Sequence, residues 1–459
     1  MRAVLLGLLL LFAAAPVAAE PVRVTVTRQG DQFVADYVFP VDAPAWAFWR
    51  SSLAMADNLP FRPRGWTVLT PGVKMERRGK QDALVSETAK PIPRRVRVRL
   101  TPFTGHLVAD YVPALRLGGN SVALFDGHFA VFSVDDPAVL EKLPSSVDPG
   151  RDPIGDPGTA VRFDGPALRL AGDVEGYREG RSSGVYGLFD VPQAIVRDGV
   201  ATVIDSELPQ WISNYLAGYT PQVMAALTAD LGPSGVTEPT IMAAWEGAET
   251  KDASMNGGTL KGLILMRFEG ADALQPDEDL RRIARWFVAH EAAHFWLGQA
   301  VAYETPRDSW IMEGGADLLA IRTLAKLDAN YDAKRRLNRS IADCVKLGGK
   351  PVSSAHERGE HDAFYACGAV FGLVAERANG GDFFAFTRQL IADHRQDERL
   401  NRAEWLARLD RISRRPELSR QIGMMLDQGA DNPAAAIADL LRTADIAYAL
   451  DANGVPQLQ

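Results

Sequence analysis

Cysteine is nearly absent from the chain: two residues, Cys344 and Cys367, among 459. So few thiols exclude a small scaffold held by disulfides and leave folding to a hydrophobic core. The two either pair, as an oxidising compartment allows, or stay buried as free thiols; their spacing leaves both open. After the first twenty residues no stretch is apolar and long enough to cross a bilayer, which takes about 20 residues. No membrane insertion of the mature protein is therefore expected. A basic stripe with interleaved aromatics is missing as well, and the net charge of −8 is spread along the chain. That argues against a phosphate-tracking surface and against nucleic acid as a partner. There is no internal repeat and no low-complexity segment.

What is present describes an ordinary globular protein, 47% hydrophobic and 24% charged, long enough for two or three domains with cores of their own. The first residues, "MRAVLLGLLLLFAAAPVAAE", combine one arginine, a short apolar run and small residues at Val17 and Ala19. They predict a signal peptide over residues 1–19, cleaved before Glu20, and a secreted or periplasmic location.

From residue 20 to 205 the pattern is that of strands. "VRVTVTRQGDQFVADYVF" alternates apolar and polar residues around a Gly-Asp turn, and "RRVRVRLTPF" and "NSVALFDGHFAVFSV" repeat the style. An antiparallel β domain is expected there. His106 and His128 stand alone in it, as packed or surface residues. "PSSVDPGRDPIGDPG", Pro144 to Gly158, reads as a long loop inside this region. From residue 206 the period changes. "SELPQWISNYLAGYTPQVMAALTADLG" has apolar residues at helical spacing between Pro209 and Gly232. Two strand candidates follow, "PTIMAAW" and "GLILMRF", and then mostly helix. The expectation is an α+β protein with a second, mostly helical domain over 206–459.

"RWFVAHEAAHFWLGQA" lies on a helix predicted to start near Pro276. Residues on a helix are rotated by about 100° each, so His290 and His294 share a face and can chelate one ion. Glu291 sits beside that face, where a carboxylate can take a proton from a water activated by the ion. The HExxH pattern arises by chance on the order of once in a hundred chains of this length, so a third ligand has to be sought. Catalytic zinc takes three protein ligands and leaves one position open. Glu313, in "SWIMEGGADLLAIRTLAKL", follows His294 after eighteen residues at the start of another helical pattern. Asp317, four residues further on, projects from the same face as Glu313.

"HEAAH", the eighteen-residue gap and "WIMEGGA" resemble the gluzincin metallopeptidases, in particular the membrane alanyl aminopeptidase and leukotriene hydrolase family. The resemblance implies a thermolysin-like zinc-peptidase domain behind an amino-terminal β domain. It implies one zinc per chain held by His290, His294 and Glu313, with Glu291 as general base. Similarity to thermolysin-like sites gives Asp317 the role of accepting the N–H of a zinc-bound histidine, with His290 as partner. "FYACGAVFGLVAERANGG" is similar to the family's Y-x-x-G helix, in which Tyr365, Gly368 and Glu376 match and the tyrosine hydroxyl stabilises the oxyanion. The family's G-x-M-E-N segment, whose glutamate holds a free substrate amino group, is not reproduced. "NGGTLKGLILMRF" places Gly257 and Gly258 there as substrate-binding candidates, with no carboxylate after them. A zinc peptidase acting on a peptide or protein is the expectation. The alternatives are a non-catalytic gluzincin scaffold that binds peptides or proteins, and hydrolysis of a non-peptide substrate.

Overall fold

Val22, Val24 and Val26 are buried and alternate with more exposed neighbours, and the strand they form, Val22–Gln29, turns at Gly30-Asp31 into Gln32–Val38. Gly30 takes φ +62°, the left-handed conformation such a two-residue turn requires. The structure, a computed structural model, describes residues 20–459 apart from 89, 109, 146, 166–168, 172–177, 180–183, 191–193, 237 and 397. The expected leader, 1–19, lies outside the described residues. No helix among them is long and apolar enough to cross a membrane.

The described chain divides into two compact units. The first comprises the described residues within Met1–Pro113, Phe125–Pro166 and Gly176–Ser183. A six-stranded sheet contains the hairpin and Arg95–Leu100; a four-stranded sheet is built on Ala45–Phe48 and Gln81–Ser86. Among the described strands of these two sheets pairing is antiparallel except that Val22–Gln29 runs parallel to Thr159–Asp164, a pairing between distant segments that strand periodicity does not reveal. His128 is packed, its carbonyl accepting from the buried Arg62 at 2.7 Å. Arg62 also pairs with Asp82 at 3.1 Å, so this buried charge is compensated.

The second unit comprises Ala114–Leu124, Ala167–Glu175 and Gly184–Gln459. Several strands that precede residue 206 belong to it, and the expected boundary at 205/206 falls inside this unit. Its five-stranded sheet contains β1 (Ile195–Arg197), β2 (Val200–Ile204), β3 (Thr240–Trp245), β4 (Ser254–Leu260) and β5 (Leu263–Glu269), in the order β1-β2-β3-β5-β4. β2, β3 and β5 run parallel and β4 returns antiparallel at the edge. Helix α1 (Gln210–Leu231) connects β2 to β3, with Pro209 as its N-cap and Gly232 as its C-cap. After the sheet come α2 (Glu278–Ala293), α3 (Ser309–Leu327), α4 (Ala333–Leu347) and α5 (Asp362–Ala378), followed by four further helices. An antiparallel-sheet region followed by a mostly helical α+β region is thus the architecture.

Cys344 on α4 and Cys367 on α5 are joined by a disulfide across 23 residues of sequence. Closing a loop of that length stabilises the fold by about 3 kcal/mol through the unfolded state. Cys344→Ala with Cys367→Ala is expected to lower the thermal midpoint by several degrees. An unchanged midpoint would show that the bridge adds nothing to helix packing already in place.

Candidate metal centre

Helix α2 starts where Asp277 accepts from the Leu280 amide at 2.6 Å, with Glu278 and Asp279 in the first turn. Acidic groups there suit the positive end of the helix. Its inner face buries Leu280, Ala284, Phe287, Val288 and the stretch through Ala293, which fixes its rotation and carries His290 inward. His294 is the C-cap, and its Nδ1–H donates to the Leu297 carbonyl at 2.9 Å. That bond sets the tautomer and leaves Nε2 with a lone pair.

Glu313 and Tyr365 are brought together by a helix crossing. A Cβ on Gly314 would stand 2.2 Å from the Gly368 backbone, and one on Gly368 would stand 2.3 Å from the Trp310 carbonyl. Only glycine at both positions lets α3 and α5 meet backbone to backbone. The match at Gly368 therefore has a packing cause. Glu376 does not reach the centre; it forms a bidentate pair with Arg322, 2.7 and 2.5 Å, tying α5 to α3 further along the crossing.

Three donor atoms converge. His290 Nε2 and His294 Nε2 are 3.1 Å apart, and Glu313 Oε2 lies 3.5 and 3.4 Å from them. Tetrahedral zinc with bonds of about 2.0–2.1 Å places its ligands roughly 3.3 Å apart, which this triangle matches. Glu313 Oε2 is buried with no hydrogen-bond donor on it, an arrangement that costs free energy unless a cation faces it. The residues present fit a zinc ion.

Burial disfavours charge on His290, but the carboxylates of Asp317, Glu313 and Glu291 outweigh it and push its pKa up to about 10 in the metal-free protein. Burial likewise opposes charge on Glu313, yet the imidazoles of His294 and His290 hold it well below the usual carboxylate range. A metal must therefore displace a proton from His290 at neutral pH. Zinc affinity is expected to fall by about tenfold for each unit the pH drops below that pKa, with at least one proton released per ion bound. Calorimetry in buffers of different ionisation enthalpy checks this; binding without proton release would contradict it.

The other expected residues lie around the triangle as follows. Asp317 is 1% exposed, which removes a solvated helix face as its setting. Its Oδ1 lies 3.5 Å from His290 Nδ1, beyond good hydrogen-bond length, while Trp286 Nε1 donates to the same oxygen at 2.7 Å. Arg336, from α4, pairs with Asp317 Oδ2 at 3.1 Å and lies over the Trp286 ring. The Tyr365 ring stacks on the His290 ring, centroids 5.4 Å apart. Burial and the nearby charges of Glu313 and Glu291 push the Tyr365 phenol far up, so it stays protonated. Glu291 is 9% exposed and receives the Thr259 hydroxyl at 2.6 Å. Gly257 and Gly258 lie on the edge strand β4, and a Cβ on Gly257 would stand 1.9 Å from the Leu265 carbonyl, so close strand approach requires glycine there.

Sequence reasoning missed Thr259, Trp286 and Arg336. Trp286 stands four residues before His290, and that i, i+4 spacing was a usable signal; Thr259 adjoins the glycine pair that was singled out, and Arg336 reaches the centre from another helix and left no signal.

Neither a protein-family model nor a curated protein matches the sequence. Among solved structures the fold is similar to native leukotriene A4 hydrolase from Saccharomyces cerevisiae. One structure of that enzyme matches at 10% identity over 91% of this chain and 68% of the other, TM-score 0.51. A second, of the native yeast enzyme, matches at 10% over 90% and 68%, TM-score 0.52. An M1 zinc metallopeptidase from Deinococcus radiodurans matches at 15% over 89% and 93%, TM-score 0.47. At these identities the likeness is one of fold alone.

Proposed function

We propose that the protein is a zinc-dependent metallopeptidase, exported to the periplasm or the cell exterior, that hydrolyses peptide bonds. The observation that carries this reading is the donor triangle of His290, His294 and Glu313 with an ionisable carboxylate, Glu291, beside it. His290, His294 and Glu313 would hold a zinc ion, which would supply Lewis-acid chemistry: polarising a substrate carbonyl and lowering the pKa of a water toward neutral pH. Glu291 takes the proton from the attacking water on a carboxylate oxygen and passes it to the departing amine nitrogen. Tyr365, kept protonated, donates its O–H to the oxygen that gains charge as the carbonyl is attacked. Asp317, its Oδ1 3.5 Å from His290 Nδ1, would accept the ring N–H and orient the imidazole toward the metal.

β4 carries no acidic residue, and Gly257 and Gly258 occupy the stretch where the similar aminopeptidases place an amine-binding glutamate. An ammonium group near the zinc would be poorly compensated, so a free substrate amino terminus is expected to give little advantage. The test is metal analysis of the purified protein together with hydrolysis of a mixed peptide library carrying free and acetylated amino termini. About one zinc per chain and cleavage of both sets are expected. Strict dependence on a free amine would overturn the second expectation, and a zinc-binding protein that cleaves nothing would favour a binding scaffold.

A further inference from the structure

Thr259 stands next to Gly258 in the stretch that replaces the family's G-x-M-E-N segment, and its hydroxyl touches the proposed general base twice. Oγ1 lies 2.6 Å from Glu291 Oε2 and 3.0 Å from the Glu291 backbone carbonyl. A threonine hydroxyl has one proton to give. The shorter contact, to the carboxylate, falls within the roughly 2.5–2.7 Å of a charge-assisted O–H···O⁻ bond and takes it. The Glu291 carbonyl belongs to the last turn of α2, where main-chain oxygens run out of helical partners; beside the Thr259 contact it accepts a long bond from the His294 amide at 3.2 Å. Thr259 therefore joins the edge strand β4 to the point on α2 where the general base leaves the backbone.

We propose that Thr259 is a positioning residue that holds Glu291 for proton transfer, a role that rests on the peptidase reading of Glu291. With Oε2 engaged, the carboxylate cannot rotate freely, and Oε1 is the oxygen left to meet the water. β-branching stiffens the threonine side chain, so the direction of the hydroxyl is set by β4 rather than by Glu291. β4 is held in turn by its ladder to β5, with Thr259 opposite Ile264. The residue acts before any substrate arrives: it removes side-chain freedom that Glu291 would otherwise lose in each turnover.

Thr259→Val keeps the shape and removes the hydroxyl; Thr259→Ser keeps the hydroxyl and removes the methyl group. With zinc content and thermal midpoint at parental values, the Val variant is expected to lose about tenfold in kcat with KM within about twofold, as loss of transition-state positioning does. The Ser variant should recover to within about threefold of the parent. In a Glu291→Gln background, Thr259→Val should add little, because two residues acting as one unit are not additive. A Val variant with parental kcat overturns the proposal, as does a loss confined to KM or one that multiplies in full on the Glu291→Gln background. If Val disturbs the fold, the Ser variant decides: a hydroxyl that keeps the bond but not the rate overturns the role. Failure of the peptidase reading shows separately, as a zinc-loaded parent that cleaves no peptide, and it takes this role with it.

Discussion

Glu291→Gln is expected to keep its zinc and lose turnover by about 10²- to 10⁴-fold, the range that a general acid–base group contributes. The amide preserves the side chain's volume, and its oxygen can still accept from Thr259, which lies 2.6 Å from Glu291 Oε2. What it cannot do is take the water's proton or return one to the leaving amine. Since Glu291 is 9% exposed and is not one of the three converging donors, the substitution should leave the triangle and the fold in place. The result to look for is a fall in kcat and kcat/KM together, at parental metal content and thermal midpoint. Full activity in the amide variant would remove Glu291 from the mechanism and leave its carboxylate as a partner for Thr259 alone.

The second large effect is expected at Glu313. Its Oε2 stands 3.5 and 3.4 Å from the two imidazole Nε2 atoms and is the one carboxylate oxygen in the triangle. Glu313→Ala removes a third of the donor set and its negative charge, leaving two neutral donors and a wet gap. The loss of zinc affinity should far exceed the roughly 10- to 100-fold that follows from loss of a supporting residue such as Asp317. Measured by competition with a chelator, the variant should hold no zinc where the parent holds it in full, and activity should vanish with the metal. Because the carboxylate also raises the pKa of both imidazoles, the metal-free variant should titrate His290 and His294 at lower pH than the parent does. Stoichiometric zinc in a folded Glu313→Ala protein would show that the ligand set is wrong.

Much of this was legible along the chain, and the reason is the helical repeat. His290 and His294 meet because residues four apart share a face of α2, and their Nε2 atoms are indeed 3.1 Å from each other. α1 and α2 lie where caps and apolar spacing put them, α3, Ser309–Leu327, coincides with the quoted helical segment, and α5 lies where the family resemblance placed a helix. Strand alternation served equally well for the opening hairpin. Where it gave nothing was pairing: that β4 closes the sheet as an antiparallel edge, or that Val22–Gln29 lies parallel to Thr159–Asp164, is decided by packing partners far off in sequence.

By itself, then, the sequence determined the candidates: two histidines on one helix face with a carboxylate beside them, which local geometry carries within one segment, and, through resemblance to a family pattern, Glu313, Tyr365 and Gly368. Tertiary structure decided which of them become a site. It brought Gly314 of α3 against Gly368 of α5, so that Glu313 and Tyr365 face the same histidine pair. It joined Cys344 to Cys367, a choice that spacing left open. It sent Glu376 to Arg322 instead of to the centre, and it supplied Thr259, Trp286 and Arg336 as partners for Glu291 and Asp317. Such contacts depend on where whole helices and strands come to rest, which is set by the packing of a shared core and leaves no periodic trace in the residues that make them.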